Sequence, residues 1–432
     1  YETETTVPCL IVKDIRKAMP PLAEMYFNKA WQELTVIGFG GTKGKSTSAY
    51  YMKAIVDDYM AATGGKESAV LSSIDIYDGV IRQESHITTP ESVELHEHMR
   101  HAVDSGITYL EMEVSSQALK YDRVNNMQFD VAVYLNISED HISPIEHKDF
   151  EDYKRCKGLL FKQCRLGIAN VDDKYFEDVF SGATCKVETF GFSEKADLRA
   201  ENVQLVSRPG YLGVAYHVAG VMDFDVEIDI PGTFSVYNSL TAISVCRHFE
   251  VPAELIKDAL KKAKVKGRIE MVKVSDDFTL MIDYAHNAMS LESLLTTLKE
   301  YHPKRLVCLF GCGGNRSRDR RFEMGEVSGR LADLTIITSD NPRFEEPQAI
   351  IDDIKTGIGR TNGKYVEICD RKEAIKYAIS HGEVGDVIVL AGKGHEDYQE
   401  IKGVKYPMDE RVLIAEVLEE LKEEKQEKDQ NK

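Results

Sequence analysis

The chain has 432 residues, 43% hydrophobic and 29% charged, the profile of a soluble globular protein of two to three domains at roughly 150 residues each. Its 54 Lys and Arg against 72 Asp and Glu give a formal net charge of −18, which argues against nucleic-acid binding by the chain as a whole, because phosphate contacts need a basic face. Eight Cys without a Cys-x-x-Cys pair argue against a zinc ribbon or disulfide framework and read as reduced cytosolic thiols; no apolar run approaches the ~20 residues of a membrane span and no signal peptide opens the chain.

Residues 1–33 are heterogeneous, with a strand-like run over 7–12 and a helix-like run over 14–27 that Pro20-Pro21 interrupts. They are too few for a domain and read as an N-terminal remnant or linker. A strand over 34–39 runs into Gly40-Gly41-Thr42-Lys43-Gly44-Lys45-Ser46-Thr47 and then a helix from about 46 to 60. Apolar β-rich runs predict strands over 108–112, 131–135 and 166–169. Over 190–230, alternating segments around Gly210-Tyr211-Leu212-Gly213 predict antiparallel hairpins, and Pro231-Gly232 leads into a helix over 235–249. From 267 onward, strands over 280–283, 306–310, 334–338, 365–368 and 387–391 each precede a helical run of ten or more residues. The fold class is therefore α/β: a P-loop domain with a mostly parallel sheet, then a Rossmann-like doubly wound domain. Residues 419–432, almost all charged or amide, read as a helix end fraying into a solvated tail. The boundaries are a remnant 1–33, a central domain 34–266, a C-terminal domain 267–423 and a tail 424–432.

Gly41-x-x-Gly44-Lys45-Ser46 between a strand and a helix suits a nucleotide phosphate. Glycines let backbone N–H groups point at phosphate oxygens, the helix N-terminus adds partial positive charge, Lys45 reaches the β/γ-phosphates and the Ser46 hydroxyl suits Mg²⁺. Phe39 stands where the full motif has its first glycine. Glu111-Met112-Glu113 ends a predicted strand, where open α/β sheets bind ligands; a carboxylate there is placed for Mg²⁺ or is merely a solvent-facing pair. Asn136 to His141 follows the next strand, and His141 reads as a packing residue or a metal ligand. Four later strand ends carry Asp283-Tyr284-Ala285-His286, Gly311-Cys312-Gly313-Gly314-Asn315-Arg316, Ser339-Asp340-Asn341-Pro342-Arg343 and Ala391-Gly392-Lys393-Gly394-His395-Glu396. Loops so rich in Asp, His, Arg, Lys and Gly suggest a shared crevice for a carboxylate-bearing substrate.

These motifs, with T-T-P-E at 88–91, E-V-S-S-Q-A-L at 113–119, D-H at 140–141, Y-x-x-x-K-x-x-L-F at 153–161, G-x-F-x-V-x-N at 232–238 and G-R-I-E at 267–270, occur in the order seen in a known family. The chain resembles the Mur ligases, ATP-dependent amide-forming enzymes of peptidoglycan precursor synthesis, and is most similar to the branch that adds the third residue of the peptide. The resemblance runs from about Val12 to Leu418. It implies an acyl phosphate made from a substrate carboxylate and ATP, attack by an amino acid, and loss of phosphate. It implies that Gly41, Thr42, Lys43, Gly44, Lys45, Ser46 and Thr47 hold the nucleotide phosphates. Ser46, Glu113, His141 and a CO₂-carbamylated Lys157 would bind two Mg²⁺ ions, with Lys45, Glu113, His141 and Lys157 as the catalytic set. Asn238 would contact adenine, and Arg268, Asp283 and His286 would approach the nucleotide. Thr88, Thr89, Ser115 and Arg123 would hold a UDP-muramoyl-peptide. Asp340, Asn341, Arg343, Gly392 and Glu396 would hold a diamino acid, meso-diaminopimelate rather than lysine, since Arg343 can pair with the distal carboxylate that lysine lacks.

The chain departs from the family pattern at Lys43 (usually Asn), Ser46 (usually Thr), Gln117 (usually His) and Asn287-Ala288 (usually Thr-Pro). The family's separate N-terminal uridine-diphosphate-binding domain has no counterpart in the residues before the P-loop, which reads as a fragment or a substrate not gripped at its uridine end; Tyr1 in place of Met favours the fragment. The resemblance implies a cytoplasmic monomer with small-molecule substrates and no nucleic-acid or membrane partner. A non-catalytic paralogue that binds ATP and a cell-wall precursor is the competing class, for which the departures leave room. A folylpolyglutamate-type ligase is opposed by T-T-P and D-N-P-R, and a kinase or switch GTPase by the second α/β domain.

Overall fold

The computed structural model describes residues 9–139, 142–143, 146–208 and 210–430, with backbone alone beyond 427. Residues 9–12 form no strand, and 7–8 lie outside the described residues. Helix α1 (Ile15–Tyr26) is capped by Asp14, whose carboxylate accepts from the Arg16 and Lys17 N–H groups. Contrary to the sequence expectation, Pro20 and Pro21 do not interrupt it. The carbonyls that two prolines leave without helical donors belong to exposed Arg16 and Lys17, so water can satisfy them.

The first sheet is built from β1 (Thr35–Gly40), β2 (Ala69–Leu71), β3 (Asp75–Tyr77), β4 (Arg82–Glu84), β5 (Tyr109–Glu113), β6 (Phe129–Tyr134), β7 (Cys164–Asn170), β8 (Lys186–Gly191), β9 (Leu198–Arg208), β10 (Tyr211–Gly220) and β11 (Phe224–Ile228). Their order is β11-β10-β9-β8-β7-β6-β1-β5-β2-β3-β4. Pairing is parallel from β2 through β5, β1, β6 and β7 to β8, and antiparallel for β2–β3 and β3–β4. Helices α2 (Lys45–Thr63), α3 (Ser92–Asp104), α4 (Ser116–Lys120), α5 (Phe150–Gly158) and α6 (Phe176–Phe180) connect these strands, and α7 (Thr233–Cys246) and α8 (Ala253–Lys262) follow them. Val36, Ile37 and Phe39 in β1 are fully buried, as expected of a central parallel strand covered on both faces, and each such side chain stabilises by ~2 kcal/mol. The chain leaves β1 for β2 and β5 on one side and then crosses to β6 on the other, so β1 lies at a switch point, where such sheets bind ligands.

The second sheet has β12 (Glu270–Val272), β13 (Thr279–Asp283), β14 (Arg305–Phe310), β15 (Leu334–Ile337), β16 (Tyr365–Glu367) and β17 (Asp386–Ala391), in the order β12-β13-β17-β14-β15-β16. All pairs are parallel except β12–β13. Helices α9 (Ala288–Lys299), α10 (Asp319–Leu331), α11 (Pro347–Ile358) and α12 (Arg371–Ser380) connect them. Asp283, Ala391, Phe310 and Ile337 are register partners across four strands, so the loops after them leave one sheet edge at one level. Buried Arg371 fastens two of those loops, donating to the Ser339 and Ala391 carbonyls and pairing with Glu410. The expectation that a helix follows every strand fails at β17, which is followed by the hairpin β18 (Tyr398–Ile401)–β19 (Val404–Pro407) before α13 (Glu410–Gln430). Helix α13 continues to Gln430, through most of the charged stretch expected to fray.

The chain divides into two compact units. One holds the residues up to Glu201, His217–Asp225 and Val236–Leu260; the other holds Asn202–Tyr216, Val226–Ser235 and Lys261 onward. Among the described residues no helix is long and apolar enough to cross a membrane.

Candidate active site

At the end of β1 the loop 41–44 turns into α2 through Gly44, whose φ of 87° favours glycine. A Cβ there would stand 2.5 Å from Asn238 Oδ1. Asn238 is buried and accepts from the Ser48 hydroxyl at 3.3 Å, so the residue expected at adenine packs beneath the loop. The β6 end holds the loop from the other side: the Asn136 carbonyl accepts from Thr42 N, its Oδ1 accepts from Lys43 N at 2.9 Å, and its Nδ2 donates to the Lys43 carbonyl at 3.0 Å. These bonds use the Lys43 backbone. Lys43 itself is exposed, so the departure from Asn projects a cation into solvent. Lys45 Nζ lies over the loop, donating to the Gly41 and Thr42 carbonyls at 3.0 and 3.3 Å. A glycine cradle, a helix N-terminus and a lysine across it fit a polyphosphate.

Ser46 and Glu113 converge through a residue the sequence reading passed over. Ser73, just past β2, places its hydroxyl 3.1 Å from Ser46 Oγ and donates to Glu113 Oε1 through both N–H (2.8 Å) and O–H (3.0 Å). Two hydroxyls and a carboxylate are hard oxygen donors, the set that fits Mg²⁺ rather than a softer ion. Asp140 and His141 lie outside the described residues.

Beside the loop is a small cavity of about 90 Å³ whose walls include Gly41, Lys45, Thr88, Ser115, Arg123, Tyr153 and Lys157. Residues expected at the nucleotide, the metal and the substrate are thus brought together. Thr89 is fully buried and serves the backbone, donating to the Glu113 carbonyl at 2.9 Å and accepting from Ser115 N at 3.0 Å. Ser115 caps α4 through Ala118 N. Arg123 donates to the Thr89 carbonyl and pairs with Glu91 at 2.7 Å. Gln117, which replaces the usual His, donates to Glu146 at 3.0 Å. On α5, Tyr153 contacts Thr42 Oγ1 at 3.0 Å, and Lys157, 4% exposed, lies one turn later with Nζ 4.7 Å from the Tyr153 ring centre. Lys45 and Arg123 bring two cations to one small cavity, which favours an anion there.

In the second unit, Asp283 accepts from Ile269 N and Ala285 N at 2.9 and 2.8 Å. Burial raises its carboxyl, and the charge of Arg268 only partly opposes this. The Arg268 guanidinium lies 4.9 Å over the Tyr284 ring, and His286 turns its Nδ1 to the Tyr284 carbonyl at 2.9 Å, so Arg268, Asp283 and His286 gather at the end of β13. Asn287 caps α9 by accepting from Ser290 N, which gives that departure a local structural role. The D-N-P-R and G-K-G-H-E loops meet through Lys393, a fully buried lysine missed as a contributor. Its ammonium donates to Asn341 Oδ1 (3.1 Å), Glu396 Oε2 (2.9 Å) and the Tyr398 carbonyl, while Asn341 Nδ2 donates to Glu396 Oε2 at 2.9 Å. Gly392, with φ 107°, lies where a Cβ would come 3.2 Å from Asp340 Oδ2. Arg343 has its Nε 2.9 Å from Glu400, donates through Nη1 to the Gly314 carbonyl at 2.8 Å, and adds its own backbone to β18 through Glu400 and Lys402. Ser73 and Glu400 lie on or beside short strands that hydrophobic periodicity did not reveal.

Residues 40–246 match the Mur ligase middle domain and residues 267–394 the Mur ligase glutamate ligase domain. The chain is 41% identical over 418 residues to the UDP-N-acetylmuramoyl-L-alanyl-D-glutamate–2,6-diaminopimelate ligase 1 of Clostridium acetobutylicum, a match covering 96% of this chain and 84% of that one. It is also 41% identical to the corresponding ligase of Caldanaerobacter subterraneus subsp. tengcongensis over 419 residues, with the same coverage. A solved structure of a UDP-N-acetylmuramoyl-L-alanyl-D-glutamate–2,6-diaminopimelate ligase aligns with a TM-score of 0.69 at 28% identity, covering 97% of this chain and 86% of that one.

Proposed function

The chain belongs to the Mur ligase family, and from that membership we propose that it joins meso-diaminopimelate to the free carboxylate of a UDP-muramoyl-dipeptide, cleaving ATP to ADP and phosphate through an acyl phosphate. The observation that carries the reading is the cavity shared by Lys45, Thr88, Ser115, Arg123 and Lys157. A carboxylate oxygen attacks the γ-phosphorus and ADP leaves. The amine then attacks the acyl carbon, and phosphate departs from the tetrahedral intermediate. Two anions must approach in the first step, so the barrier falls only where positive charge is fixed in place. Lys45 and the amides of 41–47 serve the phosphates, while Arg123, Thr88 and Ser115 serve the dipeptide. Mg²⁺, held by Ser46, Glu113, His141 and Lys157 in its carbamate form, supplies charge neutralisation when bound. An ammonium cannot bind Mg²⁺, whereas a carbamate at Lys157 is a carboxylate on a long stem.

In the second unit Arg343 suits the distal carboxylate of diaminopimelate, and Asp340, Asn341, Gly392 and Glu396 complete the amino-acid site. The boundaries 34–266 and 267–423 divide these duties. The enzyme works as a cytoplasmic monomer, and eight Cys without a Cys-x-x-Cys pair are in keeping with a reducing compartment. The test is phosphate release from ATP, Mg²⁺ and UDP-muramoyl-dipeptide with diaminopimelate or lysine: release should require the dipeptide and prefer diaminopimelate. Lys157→Ala should lose more than about 100-fold in kcat and recover part of it with added formate or acetate. A fully active Lys157→Ala would overturn the carbamate.

A further inference from the structure

His147 and Asp152 are buried beside the cavity and have no part in the reaction so far derived. His147 is fully buried. Its Nε2 lies 2.9 Å from Ser116 Oγ and its Nδ1 lies 3.1 Å from Asp152 Oδ2. Asp152, in the first turn of α5, also accepts from Lys120 at 3.0 Å and Arg155 at 2.7 Å. Burial works to raise its carboxyl, but the hydrogen bonds from Arg155, Lys120 and His147 outweigh that and hold it well below the ordinary carboxylate range. An ionised carboxylate only accepts, so the proton of His147 is on Nδ1. In that tautomer the neutral ring carries its lone pair on Nε2, facing Ser116 Oγ. That lone pair takes the Ser116 proton. The Lys120 and Arg155 cations disfavour a metal ion among His147, Asp152 and Cys156, although their ligand atoms lie within 4.8 Å of one another.

Ser116 lines the same cavity as Thr88, Ser115, Arg123 and Lys157. With its proton committed to His147, its Oγ presents only lone pairs to that space. We propose that Ser116 is a further substrate-contacting residue, set by His147 and Asp152 as a hydrogen-bond acceptor for an amide N–H of the muramoyl-dipeptide. The proposal rests on the ligase reading and deepens it. An acceptor here favours a peptide N–H and repels a carboxylate, which directs the acyl end toward the cations of the cavity. His147 is a positioning residue, since it acts through Ser116. The chain of hydroxyl, imidazole and carboxylate is also that of a nucleophile triad, so covalent capture of the acyl group on Ser116 is the rival outcome.

The experiment is steady-state kinetics with ATP, Mg²⁺, UDP-muramoyl-dipeptide and diaminopimelate. Turnover by the wild type establishes the ligase reading. If it is absent, that reading fails, and calorimetric affinity of UDP-muramoyl-dipeptide for wild type and Ser116→Ala tests the inference instead. Losing one hydrogen bond predicts that Ser116→Ala raises the dipeptide KM, or weakens its affinity, about fivefold, with kcat and the ATP KM nearly unchanged. His147→Ala should produce the same KM rise, the double variant no more than either alone, and His147→Gln, whose amide oxygen can take the Ser116 proton, a partial recovery. An unchanged dipeptide KM or affinity in Ser116→Ala, additive effects in the double variant, or an acyl adduct on Ser116 in the mass of enzyme quenched during turnover each overturns the proposal. Ser116→Ala carries the test even where His147→Ala fails to fold.

Discussion

Glu113 is held by two hydrogen bonds from one small residue, Ser73, whose hydroxyl also faces Ser46. Removing that hydroxyl leaves the carboxylate one bond and frees its rotamer. Ser73→Ala should therefore raise the Mg²⁺ concentration for half-maximal phosphate release several-fold, by about 1 kcal/mol, with little change in kcat at saturating Mg²⁺. An unchanged Mg²⁺ dependence would mean that Ser73 does not orient the metal ligand. His395 offers a residue-scale test of stability. Burial, then the charges of Arg268, Lys266, Arg411 and His286, push its imidazole down to about 4, and its ring packs on Tyr284 with centroids 4.6 Å apart. Below about pH 6.5 an unfolded histidine takes up a proton that the folded ring refuses until about 4. Stability is therefore lost as pH falls through that window, by up to ~3 kcal/mol, and is untouched above it. His395→Phe keeps a ring against Tyr284 and removes the proton site, so its urea midpoint relative to wild type should improve on moving from pH 7.5 to 5.0; a gap that stays constant would show His395 charging freely in the fold. Lys45, Glu113, Arg343 and Glu396 were legible in the sequence because each sits in a local run that its chemistry explains. Ser73, Glu400 and His147 were not, because their partners come from other elements and no spacing announces them, while Lys393 was visible only as one member of its loop.

Elements were readable where burial makes a long apolar run, as in β1, β14 and β17, and unreadable where a strand is three or four residues long or half exposed, as in β3, β4, β18 and β19. Local pattern also says little about how closely two elements approach. Helices α10 and α11 show this: a Cβ on Gly357 would fall 2.1 Å from the Phe322 carbonyl oxygen, and one on Gly325 would fall 2.3 Å from that of Ile354. Both obstacles are backbone, so neither can swing aside, and a methyl group must push the helices apart. Gly357→Ala should destabilise by about 2–3 kcal/mol, read as a drop of several degrees in Tm, while the KM values of all substrates hold. A variant as stable as wild type would mean that the helix pair can slide at little cost. By contrast, the ladder joining Lys372 and Lys376 of α12 to Glu416, Glu420 and Glu424 of α13 is partly exposed to solvent and contributes little per pair.

At the scale of the whole molecule, the net charge of −18 opposes every anion that the reaction needs. The alternation of strands and helices was legible because the central strands of the second sheet, β13, β14, β15 and β17, had to be buried on both faces, and the shared edge level of Asp283, Ala391, Phe310 and Ile337 follows once the strands pair in parallel. The charge distribution was not legible, since composition gives a sum and only the fold shows Lys45 and Arg123 at one cavity. These two facts make opposite predictions about salt. A long-range field that steers anions would weaken as the Debye length shrinks, and the KM for ATP would climb. Here the long-range field is repulsive, and the attraction comes from a few groups at contact distance that ions screen poorly. Raising KCl from about 20 to about 200 mM at fixed Mg²⁺ shortens the Debye length from roughly 20 Å to below 10 Å. It should therefore leave the ATP and dipeptide KM values flat or lower them slightly, because it screens the repulsive sum more than the buried contacts. A KM for either that climbs more than about fivefold over that range would show that the protein gathers its anions through a field that neither the composition nor the cavity reveals.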